Sequence, residues 1–222
     1  MTLNDIYHAI DPVALSLGPL QIRWYGLAYV AGFICAFLVI AKLSQRWKIR
    51  INDDAFFTVV FCVIFGVILG GRLGYVLVYG DGYYLQHPEK ILAFNEGGMS
   101  FHGGLVGVII GGVIAAKITK IPFLTLADMG VVGVPIGLFF GRCANFINGE
   151  LWGAPTDMPW GVVFGGAAGT MPRHPSQLYE ALLEGVVLFI ILFALSRKTP
   201  ARPRGTFFGT FLLFYGLFRF TI

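Results

Sequence analysis

Stretches of about twenty mostly apolar residues recur along the chain, each long enough to cross roughly 30 Å of hydrocarbon. No other feature narrows the possible folds as far. Inside a bilayer every backbone N–H and C=O has to be bonded within the protein, which restricts apolar segments of this length to helices. The spans expected on this basis are 22–41, 55–79, 100–118, 123–141, 179–196 and 206–222. Composition agrees, with 56% of the 222 residues hydrophobic and 13% charged, and a mean hydropathy of +0.75. The expected fold class is an all-α polytopic membrane protein, a bundle of six transmembrane helices forming one domain over residues 1–222. The chain stops at Thr221-Ile222 within an apolar run, and a seventh crossing is expected beyond it. Residues 1–20 carry Asp5 and Asp11 and lack a basic leader with a long apolar core, so the first span is expected to insert uncleaved.

Basic residues orient the bundle. Lys42, Arg46, Lys48 and Arg50 follow the first span, Lys117 and Lys120 the third, and Arg197, Lys198, Arg202 and Arg204 the fifth. The positive-inside rule places all three loops in the cytoplasm. The N-terminus, the 80–99 loop and the 142–178 segment then face outward, with Asp81, Glu89, Glu96, Glu150 and Asp157 among their residues. Segment 142–178 is rich in Gly and Pro, so it cannot lie in lipid with its backbone groups unbonded, and a small outer-face head is expected there. Trp24, Trp152 and Trp160 suit an interfacial belt. Glycines at 66, 70, 71 and 74 and at 103, 104, 107, 111 and 112 have the spacing that lets two helices approach closely.

The net charge of +4 and pI near 9.0 come from these loops rather than from a basic face interleaved with aromatic residues, so no nucleic-acid partner is expected. Cys35, Cys62 and Cys143 have no metal-ligand spacing and read as inert buried thiols. Zincin, nucleophile-elbow and P-loop signatures are missing from the sequence.

On this topology a set of polar residues reaches one depth: Arg23 and Tyr25 at the start of span one, His102 at the start of span three, and Arg142 and Asn145 at the end of span four. Arg72 lies in the outer third of span two, and Tyr215 and Arg219 in the outer half of span six. One cavity could hold them all. An arginine at the centre of a membrane helix costs about 2.5–3.5 kcal/mol on insertion scales, so several at outer or buried positions need partners. Arg23 is close enough to the interface to snorkel, and Arg72, between Gly71 and Gly74, also suits an ion pair inside the bundle. Arg142 and Arg219 flank the cavity, and guanidinium forks match phosphate oxygens two at a time. His102 sits among small neighbours, which suits a general base, a phosphate hydrogen-bond donor or a structural hydrogen-bonder. Asp128 is expected to cap span four. Asn148 and Glu150 are expected to shape the turn at Gly149, and Pro175 and Glu180 to open the fifth helix.

The run Gly141-Arg142-x-x-Asn145-Phe146-x-Asn148-Gly149-Glu150-x-x-Gly153 resembles the long signature of the bacterial prolipoprotein diacylglyceryl transferases. Arg23-Trp24-Tyr25-Gly26, Gly70-Gly71-Arg72-x-Gly74-Tyr75, Phe101-His102-Gly103-Gly104-Leu105, His174-Pro175-Ser176-Gln177-Leu178-Tyr179-Glu180 and Tyr215-Gly216-x-x-Arg219-Phe220 are similar to further blocks of that family in the same order. The resemblance implies transfer of a diacylglyceryl group from phosphatidylglycerol, a membrane lipid, to the lipobox cysteine thiol of a prolipoprotein signal peptide, releasing glycerol phosphate. It implies a bacterial inner-membrane enzyme with its site toward the periplasm and no metal or organic cofactor. Arg142, Arg219, His102 and Tyr25 would carry the chemistry, and Asn145, Glu150, Gly103, Gly153, Tyr215 and Arg72 would bind substrate. The rival readings are a transporter or channel for an anionic solute, whose path buried arginines also line, and a lipid-binding scaffold. A transporter site should lie at the midplane, whereas these residues gather toward one face.

Overall fold

The computed structural model describes residues 2–17, 20–49, 51–94, 97–197 and 203–222. Arg50, Glu96, Lys198 and Arg202, which the topology argument used, lie outside the described residues. Five helices are long and apolar enough to span a membrane: α2 (Trp24–Arg46), α3 (Asp53–Tyr79), α5 (Phe101–Thr119), α6 (Phe123–Asn148) and α7 (Ser176–Ser196). A sixth apolar helix, α8 (Thr206–Thr221), has 16 residues. At about 1.5 Å per residue it is shorter than the hydrocarbon thickness. Short helices α1 (Leu3–Ala9) and α4 (Tyr83–Gln86) and 3-10 turns at Pro88–Lys90 and Gly166–Ala168 complete the helical set among the described residues.

The chain is not wholly α. Strands β1 (Val13–Leu17) and β2 (Leu20–Arg23) form an antiparallel hairpin with Leu15 opposite Ile22 and a bulge between Val13 and Leu15. Ile22 and Arg23 therefore belong to a strand. The first long helix starts at Trp24, with Arg23 in extended conformation at its N-cap. Gln21, Ile22 and Arg23 alternate exposed, half-buried and exposed, as a strand should, so the helix starts two residues later than hydropathy places it.

The described residues form two compact units, 2–48 with 128–222 and 49–127. In the second unit, α3 and α5 pack almost backbone to backbone. A Cβ on Gly70 would sit 2.8 Å from the Gly107 Cα, and one on Gly74 would sit 2.6 Å from the Gly103 Cα. Gly66 and Gly111 meet main-chain carbonyls of the opposite helix in the same way. In lipid, where apolar burial gives helices no net reason to associate, this contact supplies the dispersion attraction that holds the pair. Both helices have side-chain caps: Asn52 Oδ1 accepts from Ala55 N at 3.0 Å, and Ser100 Oγ accepts from Gly103 N at 3.2 Å.

In the first unit, α2 lies against α6 where Gly133 meets Ala36 and Ile40. The core collects Leu43, Val131, Val132, Leu188, Leu192 and Phe207. Asp128 is buried one turn and more into α6, so it is not that helix's cap. Its two carboxylate oxygens accept from Gly205 N at 2.7 Å and Phe208 N at 2.8 Å, closing the start of α8 from the side. Asp128→Ala leaves those donors bare and is expected to cost about 3 kcal/mol. A drop in detergent melting temperature measures it, with Asp128→Asn, which keeps one acceptor, in between.

Candidate active site

Helix α6 continues seven residues past position 141, where hydropathy ends the span, and closes at Gly149 in left-handed conformation (φ 68°). Arg142 and Asn145 are thus helical, fixed on a rigid rod rather than on a loop. The expected head segment loses its first turns to α6, and the irregular part is 149–175. Glu150 N donates to the Asn145 carbonyl at 3.0 Å, and the buried Gln177 donates from Nε2 to the Glu150 carbonyl at 2.6 Å. These bonds tie the end of α6 to the start of α7. The Glu150 carboxylate itself is exposed and accepts from Asn148 Nδ2 at 2.8 Å.

Helix α7 contains a π-helical stretch, Ala181–Val187, immediately after Glu180. Such wide turns inside α-helices are frequent at functional sites. Here the helix presents two carboxylates, Glu180 and Glu184, toward α6 and α8. Arg142 Nε lies 2.5 Å from Glu180 Oε2, and Arg219 Nη1 bonds the other oxygen, Oε1. Arg219 Nη1 is also 3.6 Å from Oε1 of Glu184, whose side chain is fully buried. One carboxylate thus bridges two guanidiniums from different helices. Glu180 is 7% exposed, Arg142 18% and Arg219 50%, so the charge pattern opens outward from its buried end. Paired in this way, the charges avoid the penalty that any one of them would meet alone in an apolar bundle.

Beside this cluster is an open cavity of about 520 Å³ with Arg142, Trp152, Ser176, Glu180 and Arg219 among its walls. That volume is in the range of small-molecule sites. Arg142 approaches Glu180 through Nε and lines the cavity with the same guanidinium. Tyr215 lies one turn before Arg219, stacked on Phe211 at 5.4 Å between ring centroids, and shares the electrostatic surroundings of Glu184 and both arginines.

The 149–175 segment is built around Arg173. Its backbone bridges to Pro155 and Val162, its Nε donates to the Ala168 carbonyl at 3.0 Å and its Nη1 to the Gly153 carbonyl at 3.2 Å. The guanidinium also lies over the Trp152 ring. Gly153 is required here by space, since a Cβ would collide with Ser176 Oγ and lie 3.0 Å from the His174 Cβ. Below it, Phe146, Val162, Phe164 and Ala168 form an apolar cluster capped by Tyr7 and Leu3 of α1. Burial raises the Tyr7 phenol above its ordinary pKa, and Asn4 Oδ1 accepts from Val163 N at 2.9 Å. Trp160 and Tyr179 share a further link: Trp160 Nε1 donates to Tyr179 Oη at 2.7 Å, and that oxygen lies 3.0 Å from His174 Nδ1.

Of the residues the sequence singles out, Arg142 and Arg219 meet at the cavity, with Tyr215 close by. Tyr25 is half-buried in the first turn of α2. His102, Gly103 and Arg72 belong to the second unit. His102 is exposed in the first turn of α5, and Gly103 is at the contact with α3. Arg72 is 1% exposed and turns its guanidinium to main-chain carbonyls: Nε to Ile91 at 2.8 Å, Nη2 to Lys90 at 2.6 Å, and Nη1 to Gly97 and Gly98. These contacts fix the loop after α4 to α3, with all three guanidinium nitrogens bonded to main-chain carbonyls.

Glu180 and Glu184 were the residues to find. As a helix opener Glu180 comes too late, being the fifth residue of α7, and Glu184 had no assigned role. Two carboxylates four residues apart in an apolar span are themselves a signal, because each demands a cation nearby.

Residues 12–222 match the family model described as prolipoprotein diacylglyceryl transferase. The chain is 54% identical over 213 residues to the phosphatidylglycerol–prolipoprotein diacylglyceryl transferase of Geobacter sulfurreducens, covering 96% of this chain and 81% of that protein. Proteins of the same description from Cupriavidus metallidurans and Desulfotalea psychrophila are 51% and 50% identical, over 97% and 96% of this chain and 80% and 79% of theirs.

Proposed function

The chain belongs to the prolipoprotein diacylglyceryl transferase family, and on that premise we propose that it moves a diacylglyceryl group from phosphatidylglycerol to the lipobox cysteine of a prolipoprotein. The observation that carries the chemistry is the arginine pair on α6 and α8 held at one cavity by a shared carboxylate. The cysteine sulfur attacks the terminal glyceryl carbon, forming an S–C bond as the C–O bond to phosphorus breaks. The thiol proton passes to a general base and on to solvent, and glycerol phosphate departs with the C–O electron pair on its phosphate oxygen. Negative charge therefore grows on phosphate oxygens in the transition state, where preorganised guanidiniums act most strongly. Arg142 and Arg219 supply that stabilisation. Tyr25 and His102 serve to activate the thiol or orient the phosphate. Asn145, Glu150 and Gly153 hold the junction of α6 and α7 in shape, and Tyr215 borders the headgroup.

In this reading the protein lies in the bacterial inner membrane, α8 makes a sixth crossing, and segment 149–175 is the outer head covering a periplasmic site. The basic residues Lys42, Arg46, Lys48, Lys117, Lys120, Arg197 and Arg204 support the orientation. A cysteine placed at Asp157 should react with an impermeant thiol reagent from outside and one at Lys48 should not. Reversed labelling sinks the orientation. For the reaction itself, purified protein with phosphatidylglycerol vesicles and a lipobox peptide should add the mass of one diacylglyceryl group to the cysteine. An unmodified peptide beside an active relative as control counts against transfer.

A further inference from the structure

We propose that Glu180 is a positioning and specificity residue: it fixes the two arginines relative to each other and lowers the charge of their cluster so that a singly charged phosphodiester is retained and a doubly charged phosphomonoester is released. The proposal deepens the transferase reading and rests on it. Its basis is the arrangement in which Oε2 pairs with Arg142 on α6 and Oε1 with Arg219 on α8, while Glu180 itself stands on α7. Three helices converge on one side chain. Neither arginine has another carboxylate within hydrogen-bonding distance among the described residues, the nearest being Glu184 at 3.6 Å from Arg219. Without Glu180 each long arginine side chain regains rotamer freedom, and Arg219, half exposed, has the most to regain.

The charge count points the same way. With Glu184 neutral, two guanidiniums and one carboxylate sum to one positive charge, which complements a phosphodiester carrying one negative charge. The leaving group is a monoester carrying about −1.5 to −2 charge at pH 7. A cluster with both arginines unopposed would bind that product strongly, and turnover would then wait on its departure. Glu184, buried behind the same cluster, sets the starting charge. Whatever that charge, Glu180→Gln makes the cluster one unit more positive. That holds for a Glu184 of unchanged protonation state, which Glu184→Gln in both backgrounds enforces.

The test uses the full chain in phosphatidylglycerol vesicles with a lipobox peptide, comparing unaltered protein, Glu180→Gln and Glu180→Asp. Turnover, KM for the lipid and inhibition by added glycerol phosphate are measured for each. Glu180→Gln should lower kcat at least about tenfold, leave KM for the lipid unchanged or lower, and tighten product inhibition about tenfold. A merely structural residue would weaken turnover and binding together. Glu180→Asp keeps the charge but shortens the reach, so it should lower kcat without tightening product inhibition. If Glu180→Gln does not fold, the Asp variant decides, and full turnover by it overturns the positioning role. Unchanged product inhibition in a folded Glu180→Gln overturns the charge-selection role. Failure of the unaltered protein to transfer lipid counts instead against the transferase reading.

Discussion

Arg142→Lys is expected to remain folded and to lose turnover by at least about a hundredfold, on the order of 3 kcal/mol of transition-state stabilisation. The geometry explains why charge alone does not suffice. Arg142 meets Glu180 through Nε at 2.5 Å and also lines the cavity, so one rigid planar group serves both. A lysine ammonium is a single point that can serve Glu180 or a phosphate, but not both in fixed geometry. Arg142→Ala should fall at least as far, with peptide binding kept in both variants. Arg23→Lys is the control, because Arg23 is exposed at the N-cap of α2 and needs only to keep its charge near the interface. Single-turnover rates in the lipid-transfer assay report the result. Near-normal turnover by Arg142→Lys would remove the phosphate-fork mechanism.

Gly107→Leu is expected to abolish stable assembly of α3 with α5, seen as loss of the folded, monodisperse protein in detergent. The Gly107 Cα already lies where a Cβ on Gly70 would be 2.8 Å away, and its own Cβ would run into the Gly66 carbonyl. The obstacle is main chain, which cannot swing aside as a side chain tip can. Overpacking in tight cores typically costs about 1–3 kcal/mol, and a four-carbon side chain against backbone belongs above that range. Leucine at Gly130, where an added Cβ meets nothing within 4 Å, should be tolerated. A well-behaved Gly107→Leu protein would show that the helices can separate without loss of fold.

Much of the membrane architecture could be read from the chain because hydropathy over about twenty residues is a strong and additive signal. The glycine stripes were legible for a similar reason, since their four-residue spacing has one plain packing consequence. The hairpin at 13–23 escaped notice because Ile22 contributes to an apolar window while its alternation with Gln21 and Arg23 spans only four residues. The end of α6 was missed because charge and amides usually mark a helix's exit from lipid, yet here Arg142 and Asn145 are helical and partly buried within the protein. The arginines of the cavity could be named from their cost in a bilayer. Their common partner could not, because Glu180 satisfies a capping pattern as easily as an ion pair, and only the fold brings α6, α7 and α8 to one point. Arg72 illustrates the opposite limit: a buried arginine signals partners, but sequence does not say that they are carbonyls.

The wide turn in α7 also makes the spacing of this helix a matter of heredity as well as chemistry. A π-helical stretch is what an α-helix becomes when it accommodates one surplus residue, and deleting a residue between Ala181 and Val187 should restore regular winding. The repaired helix would be locally better bonded. Because the wide turn absorbs that residue, the helix beyond would keep its facing, with Leu188 and Leu192 still in the core, while a deletion before Glu184 would shift that carboxylate relative to Glu180. The residue held in that wide turn should therefore matter more to the placing of the two carboxylates than to the packing of the helix beyond them.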